Sequence, residues 1–146
     1  MVSQARTLFE RRVKYFLLGL IAIFIGFFIY LIFRPNTHIS KLVSQFLGFD
    51  MSGRFKNIDA FFIKFYFADY LWAFAFSCWL RCVFIDASER RLCVLIVSLA
   101  GISYEIIQFF GVVSGTGDIW DCLLYILAAW TVNILNINDI QKENLV

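Results

Sequence analysis

Charged residues are absent from long stretches of this chain, and those stretches set its architecture. Residues 15–33 read YFLLGLIAIFIGFFIYLIF, 19 positions without a charge. At ~1.5 Å per residue a helix of that length covers ~28 Å, about the thickness of a hydrocarbon core. The pattern predicts a first membrane span there, closed by Arg34 and Pro35. Three further apolar runs, 66–85, 92–113 and 119–135, are separated by a charged turn (DASERR, 86–91) and a small one (SGTG, 114–117). Arg6, Arg11, Arg12 and Lys14 precede the first run, as in the n-region of a signal peptide. The run is too long for an h-region and no A-x-A cleavage site follows, so it is expected to stay in place.

Residues 36–65 break this rhythm and are expected to lie outside the membrane or at its interface. Ile39, Leu42, Val43, Phe46 and Leu47 fall at i, i+3, i+4, i+7 and i+8, one stripe of a helix too short to span. Thr37 is its expected N-cap and Gly48 its stop. The run 58–67 (IDAFFIKFYF) carries Lys64 and reads either as a second interfacial element or as an early extension of the next helix. The prediction is an all-α polytopic membrane protein: one domain over 1–146, about four transmembrane helices, and a short interfacial helix between the first and second.

Composition agrees with that class. The chain has 146 residues, 61% hydrophobic and 16% charged, with mean hydropathy +0.76; soluble domains usually have about 45–50% and about 25%. The net charge of +2 comes without any dense basic run, so nucleic acid is not an expected partner. Cys78, Cys82, Cys93 and Cys122 all sit in or beside apolar runs and read as packed thiols. The position of charge says more than its sum. With the N-terminus inside, the cytoplasmic face holds Arg6, Arg11, Arg12, Lys14, Arg81, Arg90, Arg91 and Lys142. Arg34, Lys41, Arg54, Lys56 and Lys64 lie on the far side, five against eight. The positive-inside rule then predicts both termini cytoplasmic.

An ionisable residue inside an apolar helix costs about 2.5–3.5 kcal/mol at mid-helix on insertion scales, so each one calls for a reason. Glu105 and Gln108 share a face of the third span; Asp118, Asp121 and Tyr125 share a face of the fourth. The short turn makes these spans an antiparallel hairpin whose faces can meet, and Asp69 opens the second span on the same side. Asp118 and Asp69 also read as helix N-caps, and Asp121 as a dipole partner. Glu105 has no such reading: it lies ~12 Å from the turn, with Tyr104 and Gln108 as local partners and Asp121 as the nearest one across the hairpin. Arg81, near the end of its span, is expected to snorkel to the headgroups. No HExxH, nucleophile elbow or P-loop is present, and no cofactor is implied.

The stretch YEIIQFFGVVSGTGDIWDCLLYILAAW (104–130) resembles the signature of VanZ-like membrane proteins. There a Glu-x-x-Gln ends one helix and an Asp opens the next after a short loop. Glu105 and Gln108 match the first part, Asp118 or Asp121 the second, and Asp69-Tyr-Leu-Trp72 is similar to the acidic start of an earlier helix. The resemblance covers roughly a fifth of the chain. It departs in two places: Tyr125 stands where the family often has Asn, and SGTG lacks the loop Arg that would anchor an anionic group. The family's founding member is linked to low-level resistance to the glycopeptide teicoplanin. The resemblance implies a small inner-membrane protein of the cell envelope with an acidic, outward-facing polar site for an envelope lipid or a cation. Two other classes stay open. A scaffold subunit, pairing with a second copy or another membrane protein, needs the acids only for helix–helix hydrogen bonds. An enzyme acting on a lipid-linked phosphate needs a metal held by Glu105 and the aspartates. A transporter of this size would require an oligomer.

Overall fold

The computed structural model describes residues 2–33, 38–48, 66–84, 89–113 and 117–143. Most of the expected interfacial region, much of the two turns between the later spans, and Thr37 lie outside them. Every described element is helical: α1 (Val2–Phe33), α2 (His38–Leu47), α3 (Ala68–Val83), α4 (Arg90–Phe109) and α5 (Ile119–Glu143). Three stretches are long and apolar enough to cross a membrane, Arg6–Phe33, Arg90–Phe109 and Ile119–Ile137. The all-α membrane class therefore stands with three candidate spans; α3, at 16 residues, falls short of that length.

Short as it is, α3 is the centre of the bundle, packed against α1, α4 and α5. Its small residues explain the position: Ala68, Ala73, Ala75, Ser77 and Cys78 are buried and let neighbouring helices come close. Along α1, Tyr15, Gly19, Ala22 and Gly26 recur at heptad spacing on the side that meets α3, while Phe16, Ile21, Phe24 and Phe28 face outward. Gly26 lies against Leu71 and Gly19 against Trp79, and the Cys82 thiol donates to the Arg12 carbonyl at 3.4 Å, so α1 and α3 are antiparallel. Val97 of α4 and Ala128 and Ala129 of α5 close a core on Ala73. The bundle thus has an acidic end, where α3 and α5 begin and α4 stops, and a basic end holding Arg12, Arg81 and Arg90.

Element boundaries differ from the hydropathy reading at several points. α1 starts at Val2, well before residue 15, because Ala5, Arg6, Leu8, Glu10, Arg11 and Lys14 are good helix formers even where they are not apolar. A wide π-type turn at Tyr66 and Phe67 leads straight into α3, which attaches those two residues to the helix. α4 ends at Phe109 and not at 113. The N–H of Val112 bonds the Ile107 carbonyl (3.1 Å) and that of Gly111 the Gln108 carbonyl (2.8 Å), with Gly111 at φ 69. That is the Schellman stop, which needs a left-handed residue and so favours Gly. α5 continues past 135 to Glu143. Gly48, also left-handed at φ 70, follows α2, as expected of its stop. Arg81 does not snorkel: it is 4% exposed and turns inward, with Nη1 3.8 Å from Cys93 Sγ.

Candidate functional site

The acidic end is organised by two stripes that face each other across the α4–α5 hairpin. On α4 the facing positions Cys93, Val97, Gly101 and Glu105 follow at steps of four, the spacing of one helix face. On α5 the corresponding stripe carries Tyr125, Ala129 and Val132 below the helix start at Asp118. Glu105 is 5% exposed, the most enclosed of the site's acids. Its oxygens both accept: Oε1 from the Tyr125 hydroxyl at 2.9 Å, Oε2 from the backbone N–H of Asp118 at 3.0 Å.

Two glycines make this geometry possible. A Cβ on Gly101 would overlap the Tyr125 ring, so only glycine lets that ring come this close to α4 with its hydroxyl on Glu105. A Cβ on Gly117 would sit 2.7 Å from the Glu105 carbonyl; without it the chain passes close enough for the next N–H to reach the carboxylate. The sequence points to Asp121 as the partner of Glu105, but these contacts give that place to Tyr125 and Asp118.

Asp118 does two things at once. Its Oδ1 accepts from the Trp120 N–H at 2.9 Å, which makes it the N-cap of α5. Its Oδ2 accepts from the Tyr66 hydroxyl at 3.3 Å, tying the start of α5 to the start of α3. Asp69 does not cap α3: the capping position is Phe67, and Asp69 lies within the first turn, half-buried. Asp121 occupies the first turn of α5, also half-buried. Both acids favour the positive end of their helix dipoles. Both lie close enough for their charge to act on the Tyr125 hydroxyl.

The remaining predicted residues stand further out. Tyr104 is exposed. Gln108 is half-buried and takes part in the helix stop through its backbone carbonyl. Tyr66 is the member that sequence reasoning missed. It is the one hydroxyl in the phenylalanine-rich run FFIKFYF, and a Tyr amid Phe signals a need for a polar tip. Tyr70, one turn on, donates to Thr131 at 3.1 Å and adds a second α3–α5 link.

The chemistry open to this arrangement is acceptor chemistry: carboxylate oxygens gathered at one end of an apolar bundle, with two tyrosine hydroxyls turned toward them. Among the described residues no three His, Cys, Asp or Glu side chains come together to hold a metal ion. No family model, curated protein or solved structure matches this chain.

Proposed function

We propose that the protein is a small VanZ-like membrane protein of the cell envelope whose acidic end binds the cationic group of an envelope ligand. The observation that carries this reading is the gathering of Asp69, Asp118 and Asp121 around Glu105 at one end of an apolar bundle. A carboxylate 5% exposed, held from both sides by a hydroxyl and an N–H, is a costly feature kept in place by dedicated glycines. Glu105 organises the site; Asp69 and Asp121, less buried and at helix starts, present the negative charge. A lipid amine headgroup or an inorganic cation complements that charge. In this reading α3 is the fourth span, and α2 lies in the interface with Leu42 and Phe46, both exposed, in the lipid. The eight-to-five distribution of basic residues, with Arg12, Arg81 and Arg90 at one end of the bundle, supports an inner-membrane protein with both termini cytoplasmic and the acidic end outside.

The competing reading is a clamp, in which Glu105 only fastens α4 to α5; the complete engagement of its two oxygens favours it. Ligand-dependent stability separates the two. The purified protein is melted in detergent with phosphatidylethanolamine, with phosphatidylcholine (whose trimethylated amine donates no hydrogen bond), and with magnesium chloride. Binding predicts that the ethanolamine lipid or the cation raises Tm while phosphatidylcholine does not. It also predicts that Asp121→Asn loses the increment while staying folded. No increment from either probe leaves the clamp. Expression in a glycopeptide-susceptible bacterium, scored for teicoplanin tolerance with and without Glu105→Gln, tests the resemblance separately.

A further inference from the structure

The basic end holds a second polar cluster that the acidic site does not use. Ser77 and Arg81 from α3, Arg90 and Cys93 from α4, and Asn133 from α5 line a small, partly open cavity of about 10 Å³. That is room for about one water, or for one oxygen of a larger group. Each helix supplies its residues from one face, at steps of three or four, so the cavity is a product of the packing and not of a loop. Arg81 is 4% exposed and points its guanidinium across to α4. Ser77 commits its hydroxyl proton to the Ala73 carbonyl at 2.8 Å.

Asn133 is the informative member. Its Oδ1 is buried and makes no hydrogen bond among the described residues. A buried amide oxygen without a hydrogen bond is unfavourable, so the cavity is short of a partner. An amide turned through 180° has the same shape and offers its NH2 instead, which lets Asn133 face a donor or an acceptor. Two arginines on the same cavity decide between them, because guanidinium groups favour an anionic oxygen. The surroundings agree: Arg12 lies at this end through its contact with Cys82, and Arg91 is exposed beside Arg90. Val83 and Leu92, both exposed, add apolar surface for acyl chains at the same end of the bundle.

We infer that this cavity binds the phosphate of an anionic membrane lipid. One phosphate oxygen enters between Arg81, Arg90 and the Asn133 amide, and the rest of the headgroup lies over the basic surface outside. The site is separate from the acidic end and would hold a lipid of the leaflet that faces the N-terminus of α1.

The test uses the full chain in detergent, with lipid binding followed by native mass spectrometry and by Tm. Phosphatidylglycerol, phosphatidylcholine and inorganic phosphate are the probes. Arg90→Gln and Asn133→Leu are the variants, both at half-buried positions, and helicity without lipid confirms their folding. Phosphatidylglycerol is expected to bind the wild type and raise its Tm, and to bind each variant about tenfold more weakly. Phosphatidylcholine and free phosphate are expected to fall well below it. Unchanged phosphatidylglycerol binding in Asn133→Leu overturns the proposal, since the cavity then holds no more than a water. Inorganic phosphate binding as tightly as the lipid overturns the lipid assignment.

Discussion

Removing the Tyr125 hydroxyl tests whether the acidic end is built around Glu105. Tyr125→Phe keeps the ring in its seat on Gly101 and deletes one O–H, the donor 2.9 Å from Glu105 Oε1. Because the carboxylate is 5% exposed, water does not simply replace that donor, and the loss is expected to cost about 1–2 kcal/mol. Glu105→Leu is the reciprocal change. It removes a polar group from an apolar helix, which is favourable, but strands the Tyr125 hydroxyl and the Asp118 N–H, which is not. The balance of the single variant is therefore small, and the coupling between the two is the informative quantity. In the double variant the hydroxyl is gone as well, so its cost is expected to fall short of the sum by about 0.6–1.7 kcal/mol. That is the span from the mean to the largest value for hydrogen bonds between membrane helices. Reversible unfolding by SDS in mixed micelles, followed by circular dichroism on all four proteins, measures it. A coupling below about 0.3 kcal/mol, the ordinary limit of additivity, would show that the two residues merely adjoin. A Glu105→Leu protein clearly more stable than the wild type would equally refute the idea that the acid fastens the hairpin.

Three further outcomes follow from the same geometry. Gly101→Ala should destabilise by about 1–3 kcal/mol through overlap with the Tyr125 ring, and Tyr125→Ser should relieve most of that cost, as read by melting the single and double variants. Asp118→Ala should cost about 1 kcal/mol through loss of the cap to Trp120, while Asp118→Asn, which keeps a capping oxygen, should cost only a few tenths. Cysteines placed at Lys41 and Gln45 of α2, both exposed, should react readily with a membrane-impermeant thiol reagent from the side opposite Arg90; protection of both would place α2 inside the membrane.

What the sequence made legible, and what it hid, divides along a physical line. Charge-free runs disclose where helices lie, because burying a charge in lipid is costly whatever the fold around it. α4 and α5 and the hairpin between them are visible in that way, and so is the oddity of Glu105. Boundaries are less visible, because hydropathy is blind to backbone conformation. Gly111-Val112-Val113 reads as apolar continuation, yet a left-handed glycine followed by an apolar residue is a helix stop, and α4 obeys the stop. The inward turn of Arg81 was hidden because a long side chain near a helix end can serve either lipid headgroups or a neighbouring helix; only the packing of α4 against α3 decides.

The partner of Glu105 was hidden for a related reason. Spacing places Asp118, Asp121 and Tyr125 on one face of α5, but it does not fix how far α5 slides along α4. That register is set by contacts no periodicity reports: the missing side chain at Gly101, which admits the Tyr125 ring, and the missing side chain at Gly117, which admits the backbone. With these two positions small, the hydroxyl of Tyr125 and the N–H of Asp118 reach the carboxylate together. Asp121 is left to place its charge beside that pair without replacing either contact. Seen this way, the glycines of the hairpin belong to the acidic site as much as the acids do. A search for similar sites in other membrane hairpins should therefore look for a glycine one turn before the buried acid on its own helix, and another just before the capping Asp.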